Sequence, residues 1–595
     1  MGDYALIGDC HTAALVSSDG SIDWCCLPRF DSGSCFGRLL DRERGGHCSV
    51  APTARGYRSS RRYLDGTMVL ETTFRSGGGE ARLIDCFTMR KGGAEDPHRQ
   101  ILRVVEGTRG EMELEAVIRP RFDYAEVRPW IRKHGERFFS AIGGNDGLLI
   151  VTDADIQPGR DHDLQFRVSV REGQRVRLSL HFVRPERLDP APPTPDGPEE
   201  LDGRLEETIR WWRRWSSRAK LEGPYGAAAA RSAMVLKSLI HAPTGAMVAA
   251  PTTSLPEVIG GQANWDYRFS WIRDSSFAVR SLAQLGCEAE ADGFRRFVER
   301  SAAGHAEDLQ IAYGVGGERR IGESELDDLP GYRGSRPVRI GNAAATQRQL
   351  DVYGHLLELS WRWHERGHSP DDDYWRFLVD LVEAAARDWC RPDRGIWETR
   401  GRPQHFVLSK AMCWVALDRG IRLSRECARR APMGRWTKTR DEIRRALESQ
   451  GYDRRRGVFV RAFGGRAMDA SLLLLPTVGF VDYGDPRMVR TTDAVSDGLS
   501  RDGLLMRFRP PAGGPSEGVF LPASFWLAEC LARQGRWDEA REVFDRAVSA
   551  GNDLGLFSEE LDPAAGEMLG NFPQGLTHLS HIAAAAALSG SHPPE

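Results

Sequence analysis

Two short segments place carboxylates where they have chemical use. Glu398 follows Trp397 in a loop bounded by Gly395 and Gly401. A carboxyl against an indole is partly desolvated, which raises its pKa and suits it to hold and deliver a proton. Taken alone, the same residue reads first as a solvated loop glutamate. Ser558-Glu559-Glu560 supplies a second pair. Neighbouring side chains point in different directions, so the two glutamates do different jobs. One faces a site; the other is an ion-pair partner or an outer contact. A third constellation is Trp271, Arg273 and Asp274. An arginine beside an aspartate offers donors and acceptors together, which suits a ligand with many hydroxyls. It is also the composition of a helix N-terminal ion pair, with Asp274 in the first turn. Arg339 and Asn342, after Gly334-Ser335-Arg336, form a further polar loop. Trp271, Trp265 and Tyr332 present flat apolar faces; any one serves equally as core, and Trp271 is the candidate among them.

These residues need a frame. Between residues 60 and 185 the apolar positions alternate. Residues 68–74, 83–87 and 112–118 show a period of two, as do Phe166, Val168 and Val170, then Val176, Leu178, Leu180 and Phe182 after Glu172-Gly173. The last two runs read as a β-hairpin with one buried face, and the whole as an antiparallel β-sandwich. Residues 184–203 carry six prolines without periodicity and read as a linker. Beyond them the period turns helical, at 205–218, 227–241, 274–285, 343–364, 373–390, 409–423, 437–448, 522–534, 537–549 and 576–587. The loops between alternate helices are long and rich in Gly, Pro, Trp and charge. Paired inner and outer helices in a toroid gather such loops at one end, where they build a pocket. The division expected is a β-domain over 1–203, a linker helix over 204–223 and a helical domain over 224–590.

The 595 residues exceed one core, and 41% of them are hydrophobic, an ordinary globular share. A net charge of −3 argues against a polyanion partner such as nucleic acid. No run of eighteen apolar residues suggests a membrane span, and the opening Met1-Gly2-Asp3-Tyr4 lacks the pattern of a secretory signal, so a cytoplasmic location is expected. The eleven cysteines form no C-x-x-C pair and no zinc-like cluster. They read as small buried thiols, although Cys10, Cys25, Cys26, Cys35 and Cys48 form a group able in principle to bind a metal or cross-link.

Five stretches carry a resemblance. They are IGDCHTAALVSSDGSIDWCCLPRFDS at 7–32, NWDYRFSWIRDSSF at 264–277, GYRGSRPVRIGNAAATQRQLDVYG at 331–354, GIWETRGRPQHFVLSKAMCWVALDRGI at 395–421 and GLFSEELDPAAGEMLGNFPQGLTHLSHI at 555–582. In this order they resemble the bacterial-type members of glycoside hydrolase family 15, the family of glucoamylases and bacterial-type trehalases. The first resembles the opening of their trehalase-like N-terminal domain. The resemblance implies an (α/α)6 barrel behind the β-sandwich and an inverting, exo-acting cleavage of α-glucosides. It assigns Glu398 as general acid and Glu559 as general base, with the two carboxyls about 6.5–9.5 Å apart to admit water. It places Trp271, Arg273, Asp274 and Trp397 on the sugar, with Arg339 and Asn342 as further contacts. No cofactor or metal is implied, and the partner is a small carbohydrate. One departure stands out: starch-degrading members carry a second glutamate directly after the acid, and here that position is Thr399, followed by Arg400. This, the absence of an added starch-binding segment and the expected location favour trehalose over glucan ends. The alternatives are a glucoamylase- or isomaltase-like activity, a phosphorylase on a related toroid, and a catalytically silent carbohydrate-binding protein. The 7–32 segment, rich in turns, is expected to reach the barrel mouth and help close the pocket.

Overall fold

The computed structural model describes residues 1–188, 192–510 and 517–590. The N-terminal region is an antiparallel β-sandwich whose two sheets share one long strand, Gln100–Arg119. The first half of that strand pairs with Gly79–Phe87 and Arg175–Phe182; the second half pairs with His47–Pro52 and Leu164–Arg171. The strands Leu164–Arg171 and Arg175–Phe182 are therefore not the hairpin that their alternation suggests. The turn at Glu172-Gly173 carries the chain from one sheet to the other. The cause lies in the long strand, whose ladder shifts register near Gly107. A side chain on Gly107 would collide with the Arg171 carbonyl, so only glycine lets the two sheets come this close. The opening segment forms three short strands, Tyr4–Gly8, Ala13–Ser17 and Ser21–Cys26, joined by tight turns.

The connecting helix starts at Pro198, inside the stretch read as linker, and ends at Ser216. Proline at the first helical position costs no hydrogen bond, Glu199 and Glu200 sit in the first turn, and Arg213 and Arg214 in the last. The helix buries Leu201, Leu205, Trp212 and Trp215, each contributing about 1.5–3 kcal/mol of apolar burial. Pro190 of the presumed linker lies outside the described residues.

The helical domain closes into a ring. Ile272–Gln284 packs on Asp351–Glu365, which packs on Val407–Glu426, then the 3₁₀ segment Ala470–Leu474, then Leu521–Arg533, then Gly575–Ser589, and this last helix returns to the first. Outside the ring lie Gly226–Ser238, Glu288–Ala302, Asp372–Asp388, Met433–Gln450, Pro486–Leu499 and Trp537–Val548. This is an (α/α)6 toroid with one inner position shortened to a 3₁₀ segment. The periodicity misses two outer helices, Glu288–Ala302 and Pro486–Leu499, and the helix expected from 343 begins only at Asp351, after a 3₁₀ turn over Ala343–Thr346. No helix among the described residues is long and apolar enough to cross a membrane. All eleven cysteines are free, and all but Cys390 and Cys427 are buried.

Candidate active site

The inner elements begin at Ile272, Asp351, Val407, Ala470, Leu521 and Gly575. The segments leading into four of them converge on one pocket. Trp271 directly precedes the first inner helix, Phe520 the fifth and Gln574 the sixth, and Trp397 and Glu398 lie in the loop before the third; all line the same cavity with Arg273 and Glu559. The toroid thus gathers residues from positions 267 to 576 into one wall.

Glu398 sits in a left-handed turn with φ of 54°. A non-glycine residue there costs about 1–2 kcal/mol, so neighbouring bonds must hold it. Its amide donates to the Gly395 carbonyl at 3.1 Å, and Gln347 Nε2 donates to its carbonyl at 3.2 Å. Its Oε1 accepts from Arg273 Nη1 at 2.8 Å. Burial pushes the Glu398 carboxyl above the usual range, and the Arg273 guanidinium opposes that rise. Arg273 also donates to the Ile396 carbonyl at 2.9 Å, so one guanidinium fixes both the loop and the Glu398 carboxyl.

Glu559 directly precedes the strand Glu560–Asp562. Its Oε1 accepts from the Tyr267 hydroxyl at 3.0 Å, and its buried Oε2 has no protein partner. Gly570 passes so close that an added Cβ would lie 2.9 Å from the Glu559 Cβ, and its φ is 76°. Burial, then the charge of Glu257, push Glu559 up to about 8, while Arg507 and the Tyr267 hydroxyl pull it down. A water donating to the free Oε2 would act in the opposite sense to burial and favour the carboxylate that a base requires. Glu560 points elsewhere. It is fully buried, accepts from the Gly518 amide at 3.1 Å and pairs with Arg507 at 3.1 Å. Arg507 Nη2 also lies 2.6 Å from Glu257 and 2.9 Å from Glu517. These three glutamates form the one group among the described residues whose carboxylates are close enough for a metal ion. The guanidinium already supplies the positive charge at their meeting point.

A second chamber adjoins the first and shares Tyr267, Trp397, Glu398 and Arg507 with it. Its other walls include Trp265, Gln347, Thr399 and Arg400. Arg400 lies 4.1 Å from the centre of the Trp265 ring, a cation–π contact, and pairs with Glu323 at 2.8 Å. Glu398 therefore stands between two spaces.

The sequence candidates divide accordingly. Trp271, Arg273, Trp397, Glu398 and Glu559 line the first chamber. Trp397 donates Nε1–H to Asp469 at 2.9 Å, which fixes its ring. Asp274 stands behind the wall and accepts from Arg273 Nε at 3.2 Å, with its Oδ2 buried and unpartnered. Asn342 borders the second chamber, but its polar atoms are engaged: Nδ2 donates to the Asp266 carbonyl and Oδ1 accepts from the Ala344 amide. Arg339 lines neither chamber. It donates to the carbonyls of Gln262 and Asn264 and backs the Trp265 ring at 4.6 Å, bracing that loop. Tyr332 borders surface grooves beside Met1. No residue of the 7–32 segment lines either chamber, so its expected place at the pocket mouth is not where it lies. It packs instead behind the Tyr267 segment: Trp24 Nε1 donates to the Pro251 carbonyl at 2.8 Å, and Arg268 donates to the Ser32 carbonyl at 2.8 Å. Tyr267 and Arg507 are absent from the sequence candidates. Tyr267 lies inside a quoted motif among four other aromatics, and nothing in the spacing around Arg507 marks it.

A helical toroid with two buried carboxyls in one aromatic-lined pocket defines an (α/α)6 carbohydrate-cleaving enzyme. Comparisons with known proteins agree. Residues 223–586 match glycosyl hydrolases family 15, and residues 2–157 match the trehalase-like N-terminal domain. The chain is 39% identical to a trehalase of Mycolicibacterium smegmatis over 98% of this chain and 90% of that one. It is 35% identical to a trehalase of Thermoplasma acidophilum, over 96% and 98%. A bacterial glucoamylase complexed with acarbose superposes with a TM-score of 0.74 at 12% identity, covering 99% of this chain and 94% of that one. The chain belongs to glycosyl hydrolases family 15 and is a glycoside hydrolase.

Proposed function

We propose that this enzyme is an inverting α,α-trehalase that cleaves trehalose to two glucose molecules, with Glu398 as general acid and Glu559 as general base. The observation that carries the reading is the placement of Glu398 between two chambers, with Glu559 lining only the first of them. A glycosidic oxygen crossing from one to the other passes the Glu398 carboxyl. The retained glucose occupies the first chamber, against Trp271 and Arg273. A water held by the free Oε2 of Glu559 attacks the anomeric carbon while Glu398 protonates the departing oxygen. The Arg273 contact holds the Glu398 carboxyl in place, and burial shifts the balance toward its protonated form. This chemistry needs no cofactor or metal. A sequence with both carboxyls in place gives no support to a silent binding protein. The domain division follows the fold, with the β-sandwich, the helix from Pro198 and the toroid as its parts, and a cytoplasmic location suits a small intracellular solute.

Support for trehalose over glucan ends comes from the trehalases to which nearly the whole chain is similar, and from Thr399 and Arg400 on the wall of the second chamber. Sites built to hydrogen-bond particular hydroxyls discriminate steeply. Glucose release from trehalose, maltose, isomaltose, kojibiose and soluble starch tests this. We expect kcat/KM for trehalose to exceed that for maltose by at least about tenfold, or about 1.4 kcal/mol in transition-state binding. Equal or faster cleavage of maltose or longer maltodextrins overturns the trehalase reading and leaves an α-glucosidase. The stereochemistry has its own readout. Proton NMR of the first product should show β-glucose from the retained unit, as a carboxyl separation of about 6.5–9.5 Å requires. Early α-glucose in excess would rule out inversion.

A further inference from the structure

We propose that the N-terminal domain is a positioning part of the catalytic site: Trp24, Ser32 and Tyr124 hold the segment that carries Tyr267, and Tyr267 in turn orients Glu559. The inference rests on Glu559 being the base.

The chain of contacts is short. The Tyr267 hydroxyl donates to Glu559 at 3.0 Å. The Tyr267 carbonyl accepts from the Ala250 amide at 3.0 Å, so the segment around 250–252 backs the tyrosine. Into that segment reaches Trp24, fully buried, donating to the Pro251 carbonyl. The next residue after Tyr267 is Arg268, also buried. Two of its nitrogens hold Asp266, at 2.8 and 2.6 Å. The third donates to the Ser32 carbonyl, and the guanidinium lies 5.5 Å from the Tyr124 ring centre. A buried guanidinium must spend its donors on fixed partners. Arg268 spends the donors of Nη1 on the neighbouring domain, on the Ser32 carbonyl and on Cys26 Sγ at 3.5 Å.

The other side of this contact is under strain. Asp123, Tyr124 and Ala125 have φ of 47°, 58° and 73°, three successive non-glycine residues in the left-handed region. Such a run persists only where its surroundings over-determine it, and strain of this kind gathers at functional sites. Here the Tyr124 amide donates to Ser34 Oγ at 3.1 Å, and Gly33 admits the loop because an added Cβ would lie 2.8 Å from Asp123 Oδ1. The strained loop thus clamps residues 32–34 and the Arg268 guanidinium together. The groups acting on the Glu559 charge are Tyr267, Glu257, Arg507 and Arg273. Only Tyr267 sits in a segment tied to the N-terminal domain through Trp24 and Arg268.

The test uses the full-length chain and any α-glucoside it hydrolyses. Tyr124→Leu removes the flat face from Arg268. We expect kcat to fall about tenfold with KM within about twofold, because a small displacement at the reacting centre costs turnover more than binding. The acidic limb of the pH profile should move to higher pH, since a weakened Tyr267 hydrogen bond leaves the carboxylate less stable. Tyr124→Phe, which keeps the ring, should restore turnover relative to Tyr124→Leu. In a Tyr267→Phe background, Tyr124→Leu should cause no further loss, since both act through one bond. Should Tyr124→Leu not fold, Trp24→Phe, which removes only the donor to Pro251, carries the same comparison. Parental turnover and pH profile in the folded variants, or losses that multiply independently of Tyr267→Phe, overturn the inference. A parent chain that cleaves no α-glucoside overturns the functional reading itself, and this inference with it.

Discussion

Glu398→Gln and Glu559→Gln are each expected to lower kcat by about 10²–10⁴-fold or more, the usual worth of a positioned proton-transfer group. Glutamine keeps the shape of both side chains and most of their hydrogen bonds, so the fold should persist. At position 398 the amide oxygen still accepts from Arg273, but no proton is available for the departing oxygen. At position 559 the amide oxygen still accepts from Tyr267, but no lone pair takes the proton of the attacking water. Glu560→Gln is the control. Its carboxyl faces Arg507 and the Gly518 amide, not the pocket wall. The loss there should be far milder, and it should appear in stability as well as in rate, because Arg507 loses one of three charged partners. Steady-state kinetics with circular dichroism on all three variants decide the matter. Abolished turnover in Glu560→Gln with retained turnover in Glu559→Gln would reverse the assignment of the base.

The same region shows why some of the site is legible in sequence and some is not. Glu398 and Glu559 stand in segments whose small and aromatic neighbours mark them, and the toroid carries them to one pocket. Arg507 stands in a loop without periodicity, and its role comes from three glutamates, Glu257, Glu517 and Glu560, that only the closed ring brings together. Arg339 illustrates the opposite error. An arginine in a polar loop offers the donors a sugar needs, but carbonyls of its own fold claim them first. Helix detection fails for similar reasons. Glu288–Ala302 is dominated by charge with Gly293 at its centre, and Pro486–Leu499 carries two threonines and Gly498, so weak propensity hides helices that packing stabilises. The strands either side of Glu172 alternate as a hairpin does; their separation depends on the bend at Gly107, a partner distant in sequence.

A chain beginning at Pro224 is expected to be insoluble or inactive, on trehalose as on any α-glucoside. Independent binding modules tolerate deletion because little crosses between them and the catalytic domain. Here the crossing contacts are specific, and those made by Trp24 and Arg268 are buried. Without the β-sandwich, Arg268 keeps Asp266 but loses the Ser32 carbonyl and the Tyr124 face. The Pro251 carbonyl loses the Trp24 donor, and the Ala242 amide loses the Cys10 carbonyl at 2.7 Å. A second group of contacts fails at the other flank, where Asn552 donates to the Tyr4 carbonyl at 2.9 Å and Asp553 pairs with Arg61 at 2.6 Å. Each buried hydrogen-bonding group left unmatched costs about 1–3 kcal/mol, unless water reaches it. Several together are comparable with the whole stability of a domain, about 5–15 kcal/mol. Expression of the truncated chain, followed by gel filtration and glucose release, measures the outcome. Full turnover of a small disaccharide by a soluble chain beginning at Pro224 would show that the barrel folds and positions Tyr267 alone. It would also remove the basis for treating the two domains as one catalytic unit.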